Sequence, residues 1–128
     1  MNSELTTVTG MWVEQRLREL AQLTDISGEM TRLTLSPAHK AAVARLKMWF
    51  EQAGMTTRLD GTGTLIGRYE ASVPQSKTLL VGSHIDTVRN AGIYDGNLGV
   101  IAGLALVEEL NRRRKRLPFA IEVCAFAD

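Results

Sequence analysis

Thr78-Leu79-Leu80-Val81-Gly82-Ser83-His84-Ile85-Asp86-Thr87-Val88, followed after a short loop by Tyr94-Asp95-Gly96, decides how this chain is read. Lys77 to Val81 is nearly continuous in its apolar character and reads as a buried strand. Asn97 to about Arg113 reads as a helix, apolar on most sides in its first half and so largely buried. Phe119 to Ala127 is a second buried strand, and Asp128 follows it. Strand, helix, strand predicts a βαβ unit with neighbouring parallel strands and a right-handed crossover. Gly99 and Gly103 cost that helix about 1 kcal/mol of propensity each, so a close approach to the sheet is expected there. In open α/β sheets ligands bind at the carboxyl ends of the strands, where His84, Asp86 and Asp95 fall.

Upstream, residues 1–10 are polar and read as a frayed end. From about Met11, Val13, Leu17 and Leu20 recur at helical spacing, and the pattern fades at Asp25–Gly28. The next segment is a loop in which Arg32 reads as a surface or loop-anchoring residue, with contact to an anionic substrate as the alternative. Ser36-Pro37 starts a second helix, a capping hydroxyl followed by proline at the first helical position. Ala42, Leu46, Trp49, Phe50 and Ala53 form its apolar face, Gly54 stops it, and His39 in its first turn reads as solvated. Met55–Leu59 and Thr64–Tyr69 are strands around Asp60-Gly61-Thr62-Gly63, a hairpin turn whose glycines lack the dinucleotide-binding spacing. The run Arg112 to Arg116 reads as cations complementing a helix C-terminus.

With 128 residues, 45% hydrophobic and 23% charged, the chain suits one globular domain. Its 15 basic and 14 acidic residues leave a net charge of +1, which gives no footprint for nucleic acid or an anionic membrane. A lone cysteine, Cys124, fits a reducing compartment and reads as buried and inert. Met1-Asn2-Ser3-Glu4 lacks the charged-then-apolar pattern of a secretory signal. No apolar run reaches the ~20 residues of a membrane helix. A cytoplasmic protein is expected.

His84 is a potential transition-metal ligand. Asp86, two residues on, points the same way in an extended segment and can bond the other ring nitrogen. Asp95 precedes a helix start, where a carboxylate is favoured, and Gly92 and Gly96 let the loop fold back toward His84. Two readings stand on the residues alone: a metal or catalytic site, or a helix cap beside a satisfied buried His–Asp pair.

Gly82-Ser83-His84-Ile85-Asp86-Thr87-Val88 with Tyr94-Asp95-Gly96-Asn97-Leu98-Gly99-Val100 resembles the signature of the dinuclear metallo-amidohydrolases related to the M20 metallopeptidases. The branch resembled is that of the allantoate amidohydrolases and N-carbamoyl-L-amino-acid hydrolases (hydantoinase/carbamoylase). Met30-Thr31-Arg32-Leu33, Ser36-Pro37, Glu51-Gln52-Ala53-Gly54-Met55, Gly67-Arg68 and Glu122-Val123 extend the likeness. The short gap from Asp86 to Asp95 is that of the ureido-hydrolysing branch, since the peptidases carry a longer insertion there.

The resemblance implies an α/β fold, the N-terminal part of an α/β/α sandwich with a mixed, partly parallel central sheet, phosphorylase/hydrolase-like. It implies that His84 binds one metal, that Asp95 bridges two, and that Asp86 takes a catalytic-site role by orienting His84. The cofactors implied are two divalent ions, Zn or Mn, with Co or Ni as further candidates. A Glu-Glu pair would follow Asp128, and two more histidine ligands and a lid and dimerisation domain would lie beyond. Residues 1–128 would then be the N-terminal portion of a metal-binding catalytic domain, of marginal stability and inactive alone. The full-length protein would be a homodimer that hydrolyses a small ureido acid to ammonia and carbon dioxide, with no nucleic-acid or membrane partner. Substrate-contacting residues stay unassigned. An aminoacylase or dipeptidase is the alternative activity, and a non-catalytic remnant or binding module the alternative class.

Overall fold

The structure, a computed structural model, describes residues 7–128. The frayed end expected over residues 1–10 lies, for residues 1–6, outside the described residues. Thr9 within it caps helix α1 (Gly10–Ala21), its hydroxyl accepting the Trp12 N–H at 3.3 Å. Trp12, Leu17 and Leu20 face inward. The helix ends at Ala21, earlier than the sequence pattern suggests, because Thr24 competes for the backbone that follows. Its hydroxyl donates to the Glu29 carbonyl at 2.6 Å and accepts the Thr31 N–H at 2.9 Å.

Helix α2 (Pro37–Gln52) begins as expected, with Ser36 accepting the His39 N–H at 3.2 Å. The Asp25 carboxylate accepts the Ala38 N–H at 3.0 Å, closing the same helix end from outside. Ala42, Leu46 and Phe50 are fully buried. Burying a side chain such as Leu46 or Phe50 stabilises by about 1.5–3 kcal/mol. The reading of His39 as solvated is corrected: it is 1% exposed. The Leu35 segment folds over the first turn and donates its N–H to His39 Nδ1 at 2.8 Å.

Strands β1 (Thr56–Leu59) and β2 (Leu65–Tyr69) form the expected hairpin. The Asp60 carboxylate holds its turn, accepting the N–H groups of Thr62 at 2.8 Å and Thr64 at 3.0 Å. Strand β3 (Thr78–His84), helix α3 (Asn97–Arg112) and strand β4 (Ala120–Phe126) complete the fold. The sheet order is β1-β2-β4-β3, antiparallel except for the parallel β3–β4 pair. This is the mixed, partly parallel α/β sheet expected.

Cross-strand partners share a face of the sheet. Gly67 pairs with Val123; Phe50 of α2 lies against Gly67, and Val123 lies against Gly103 of α3. Helices α2 and α3 therefore cover the same face. On the other face, among the described residues, lies an ion network in which Glu122 meets Arg58 at 3.4 Å and Arg68 at 2.9 Å. Two expectations change in consequence. Strand β3 is not buried: Leu80 is 64% exposed, because β4 inserts between β2 and β3 and leaves β3 at the edge. Helix α3 buries Val100, Ile101, Leu104 and Val107 but exposes Leu98 and Leu106. Cys124 is buried as expected, and burial pushes its thiol pKa up. The basic run sits at the end of α3, where Arg112 and Arg113 pair with Glu108 and Glu109.

The two glycines of α3 explain themselves. A Cβ at Gly99 would stand 2.6 Å from Ser83 Cβ, and one at Gly103 would stand 2.8 Å from Val123 Cγ1. Gly103→Ala gains about 1 kcal/mol of helix propensity but forces apart a packed, β-branched neighbour at a cost of about 1–3 kcal/mol. The expected net effect is a lower urea midpoint with an unchanged slope.

Candidate metal centre

His84 is the last residue of β3, and Gly96 caps the N-terminus of α3. The loop between them is pinned from one side by the segment after α1. Met30 and Ala91 form an antiparallel bridge, with the Ala91 N–H on the Met30 carbonyl at 2.8 Å. The Thr87 N–H donates to the Arg32 carbonyl at 2.7 Å, and the Arg32 N–H donates to the Thr87 hydroxyl at 2.8 Å. Asn90 donates its N–H to the Thr31 hydroxyl at 2.9 Å. These bonds carry Thr34 to the loop, where its hydroxyl donates to Asp86 Oδ2 at 2.9 Å.

His84 Nδ1 lies 2.8 Å from the backbone carbonyl of Asp86. A carbonyl only accepts, so Nδ1 carries the proton and the lone pair is left on Nε2. Asp86 Oδ1 stands 3.2 Å from the same Nδ1 but off the N–H direction, and it is a buried oxygen without a directed hydrogen bond. Asp86 therefore meets the ring differently from the expectation: its backbone oxygen, not its carboxylate, makes the directed bond, and the carboxylate supplies nearby charge. Gly96 adopts φ +74°, and a Cβ there would fall 2.3 Å from His84 Cε1. The ring therefore rests against bare backbone. Gly92, also expected to ease the loop, meets no atom within 4 Å of an added Cβ.

A cavity of about 600 Å³ is lined by His84, Asp86 and Asp95 together with Asp128, Thr34 and Val88. Asp95 and Asp128 are exposed to it, and among the described residues nothing donates to the Asp95 carboxylate. An imidazole lone pair, free carboxylates and a ring cradle that a Cβ would fill suit a divalent cation. They suit it as part of a site, because among the described residues no group of three or more His, Cys, Asp or Glu is close enough to hold an ion.

Sequence reasoning missed Thr34, which no local signal marks, and placed Arg32 only loosely. Arg32 is fully buried, so the surface reading is corrected and the loop-anchoring one holds. Burial brings its pKa down to about 10, against the opposing pull of Asp25 and Asp86. Burial likewise lowers the His39 pKa, outweighing the pull of Asp86.

No family model matches the chain. Over 115 residues, 88% of its length, it is 38% identical to allantoate deiminase 1 of Glycine max. Over 122 residues, 94% of its length, it is 38% identical to the N-carbamoyl-L-amino acid amidohydrolase of Geobacillus stearothermophilus. The crystal structure of a hydantoinase/carbamoylase family amidase from Burkholderia ambifaria matches with a TM-score of 0.88 and 29% identity, over 96% of this chain and 30% of that one. The chain belongs to the hydantoinase/carbamoylase amidase family. It spans 24% of the Glycine max enzyme's length and 30% of the Geobacillus stearothermophilus enzyme's.

Two expectations follow for this carbamoylase-family chain. Gly96→Ala combines an unfavourable φ with a collision against His84, so the ring must move; the His84 side-chain NMR resonances shift while the amide spectrum stays folded. His39 has a lowered folded-state pKa, so the unfolded chain takes up the proton first. Stability is complete above pH ~6.5 and falls as pH drops below it. Urea midpoints compared at about pH 7.5 and about pH 5.5 decrease in the unaltered chain, and His39→Ala removes part of that decrease.

Proposed function

We propose that this chain is the N-terminal portion of the metal-binding catalytic domain of a hydrolase that cleaves the C–N bonds of linear ureido acids. The substrate class is allantoate or an N-carbamoyl amino acid, and the products are ammonia and carbon dioxide. The observation that supports this most is the free His84 Nε2 lone pair at a cavity shared with Asp95 and Asp128. The likeness to an allantoate deiminase and to an N-carbamoyl-L-amino acid amidohydrolase gives the substrate class.

In this reading His84 and Asp95 would hold divalent ions, together with ligands from outside these 128 residues. Zn²⁺ or Mn²⁺ is the preferred occupant, Co²⁺ or Ni²⁺ the alternative. Such ions supply Lewis acidity toward a ureido carbonyl and toward water. The residues of the chain do the positioning. The Nδ1–H of His84 stays on the Asp86 carbonyl, so the ring presents its lone pair in one direction. The Asp86 carboxylate adds negative charge beside the ring. Thr34 fixes that carboxylate. A general base from outside these 128 residues, a glutamate by the resemblance, moves the proton to the leaving nitrogen. The working protein is taken to be an M20-type, cytoplasmic homodimer. The single buried cysteine of these 128 residues fits a reducing compartment and supports the location, and the homodimer rests on the resemblance alone.

The test uses the longest natural protein that contains this chain. His84→Ala and Asp95→Ala each cut metal-dependent ammonia release by at least about 100-fold, more than the loss typical of residues that only support a ligand. Unchanged turnover in either variant sinks the reading. Release of an amino acid from an N-acyl or dipeptide substrate, with no ammonia from ureido acids, replaces it with an aminoacylase or dipeptidase.

A further inference from the structure

We propose that Arg32 is the positioning residue that locks the two ligand-bearing loops, His84–Asp86 and Asp95–Asn97, into one geometry; this rests on the metal-site reading. The guanidinium is fully buried, and its donors fan out to separate backbone segments. Nε donates to the Ile85 carbonyl at 2.9 Å, the peptide between His84 and Asp86. One terminal nitrogen donates to the Leu20 and Leu23 carbonyls at 2.7 and 3.0 Å, anchoring the group to the end of α1. The other donates to the Asn97 side-chain oxygen at 2.7 Å. The Asn97 amide then donates to the Asp95 carbonyl at 3.0 Å. One planar group therefore fixes the peptide that aims His84 and, through one amide, the peptide that carries Asp95.

None of these direct partners is a carboxylate. A buried cation satisfied only by dipoles is costly to desolvate, so stability alone is a poor reason to place one here. What the arrangement supplies is direction. Guanidinium donors sit in a fixed fork, whereas a lysine ammonium concentrates its donors on one nitrogen and cannot span the same acceptors. Arg32 also ties its own backbone to Thr87 on the far side of Asp86. The His84–Thr87 segment is thus held at successive peptides by one residue.

The experiment uses the longest natural protein that contains this chain, labelled with ¹⁵N, with Mn²⁺ alone as the probe. Long-range ¹H–¹⁵N spectra report the His84 tautomer without any metal, and paramagnetic broadening of the His84 resonances reports Mn²⁺ binding. The unaltered chain gives the Nδ1–H tautomer. Arg32→Lys, folded by circular dichroism, gives a mixture of tautomers and needs about 10-fold more Mn²⁺ for the same broadening. Asn97→Ala keeps the tautomer, since the Ile85 bond remains, but raises the Mn²⁺ requirement. A folded Arg32→Lys chain with the tautomer and the Mn²⁺ requirement unchanged overturns the proposal. If Arg32→Lys does not fold, Asn97→Ala decides, and an unchanged Mn²⁺ requirement there overturns it. A tautomer change in Arg32→Lys, with no Mn²⁺ binding even by the unaltered chain, upholds the positioning role and defeats the metal reading.

Discussion

Because β3 and β4 run parallel, no tight turn can join them. The chain must leave the end of β3, cross the sheet and return to the start of β4. Helix α3 makes that crossing, and it lies close because Gly99 and Gly103 offer no side chain to Ser83 and Val123. The register then places the chemistry. His84 pairs with Phe126, so the chain leaves β4 toward Asp128 beside the end of β3. The N-terminus of α3 brings Gly96 against the His84 ring from the other direction. A site at this edge is a consequence of the connection, and the residue types there decide what the site can do.

Fixing such a site needs more than a connection, since loops carry few buried contacts of their own. Here a buried polar cluster does the work a hydrophobic core does elsewhere. Arg32, Asn97, Thr87 and Asp86 are all buried, and the first three bond to backbone of the segments they join. Removing one member strands its partners without water, which is the expensive half of a hydrogen bond. That expense makes the cluster specific: the loops have one arrangement in which every nitrogen of the guanidinium finds an acceptor.

Features written in local chemistry were legible in the sequence. Ser36-Pro37 caps α2 and Asp60 holds the hairpin turn through neighbours a few residues away, and the glycine pair in α3 signals close packing because it is locally unfavourable to the helix. What depends on distant contacts was not legible. The exposed position of β3 follows from β4 inserting beside β2, which an apolar run cannot announce. His39 looked solvated because its neighbours in sequence are polar, yet the Leu35 segment closes over it. Thr34 reaches Asp86 across 52 positions of sequence, and Arg32 reaches Asn97 across 65. That His84, Asp86 and Asp95 line one cavity agrees with what Gly96 and the strand direction suggested. What fixes them there was not legible.

The two oxygens that meet His84 divide the task in a way the side chains alone conceal. A carboxylate bonded to a ring nitrogen can rotate, titrate or be drawn away by a cation. The backbone carbonyl of Asp86 does none of these, and it is the oxygen that accepts the Nδ1–H at 2.8 Å. The carboxylate, held by Thr34 and set obliquely at 3.2 Å, contributes charge rather than direction. The tautomer is therefore secured by the path of the chain, and the negative charge beside the ring by a side chain. The path is set in turn by the peptide bonded to Arg32, so the lone pair on Nε2 points where the backbone sends it.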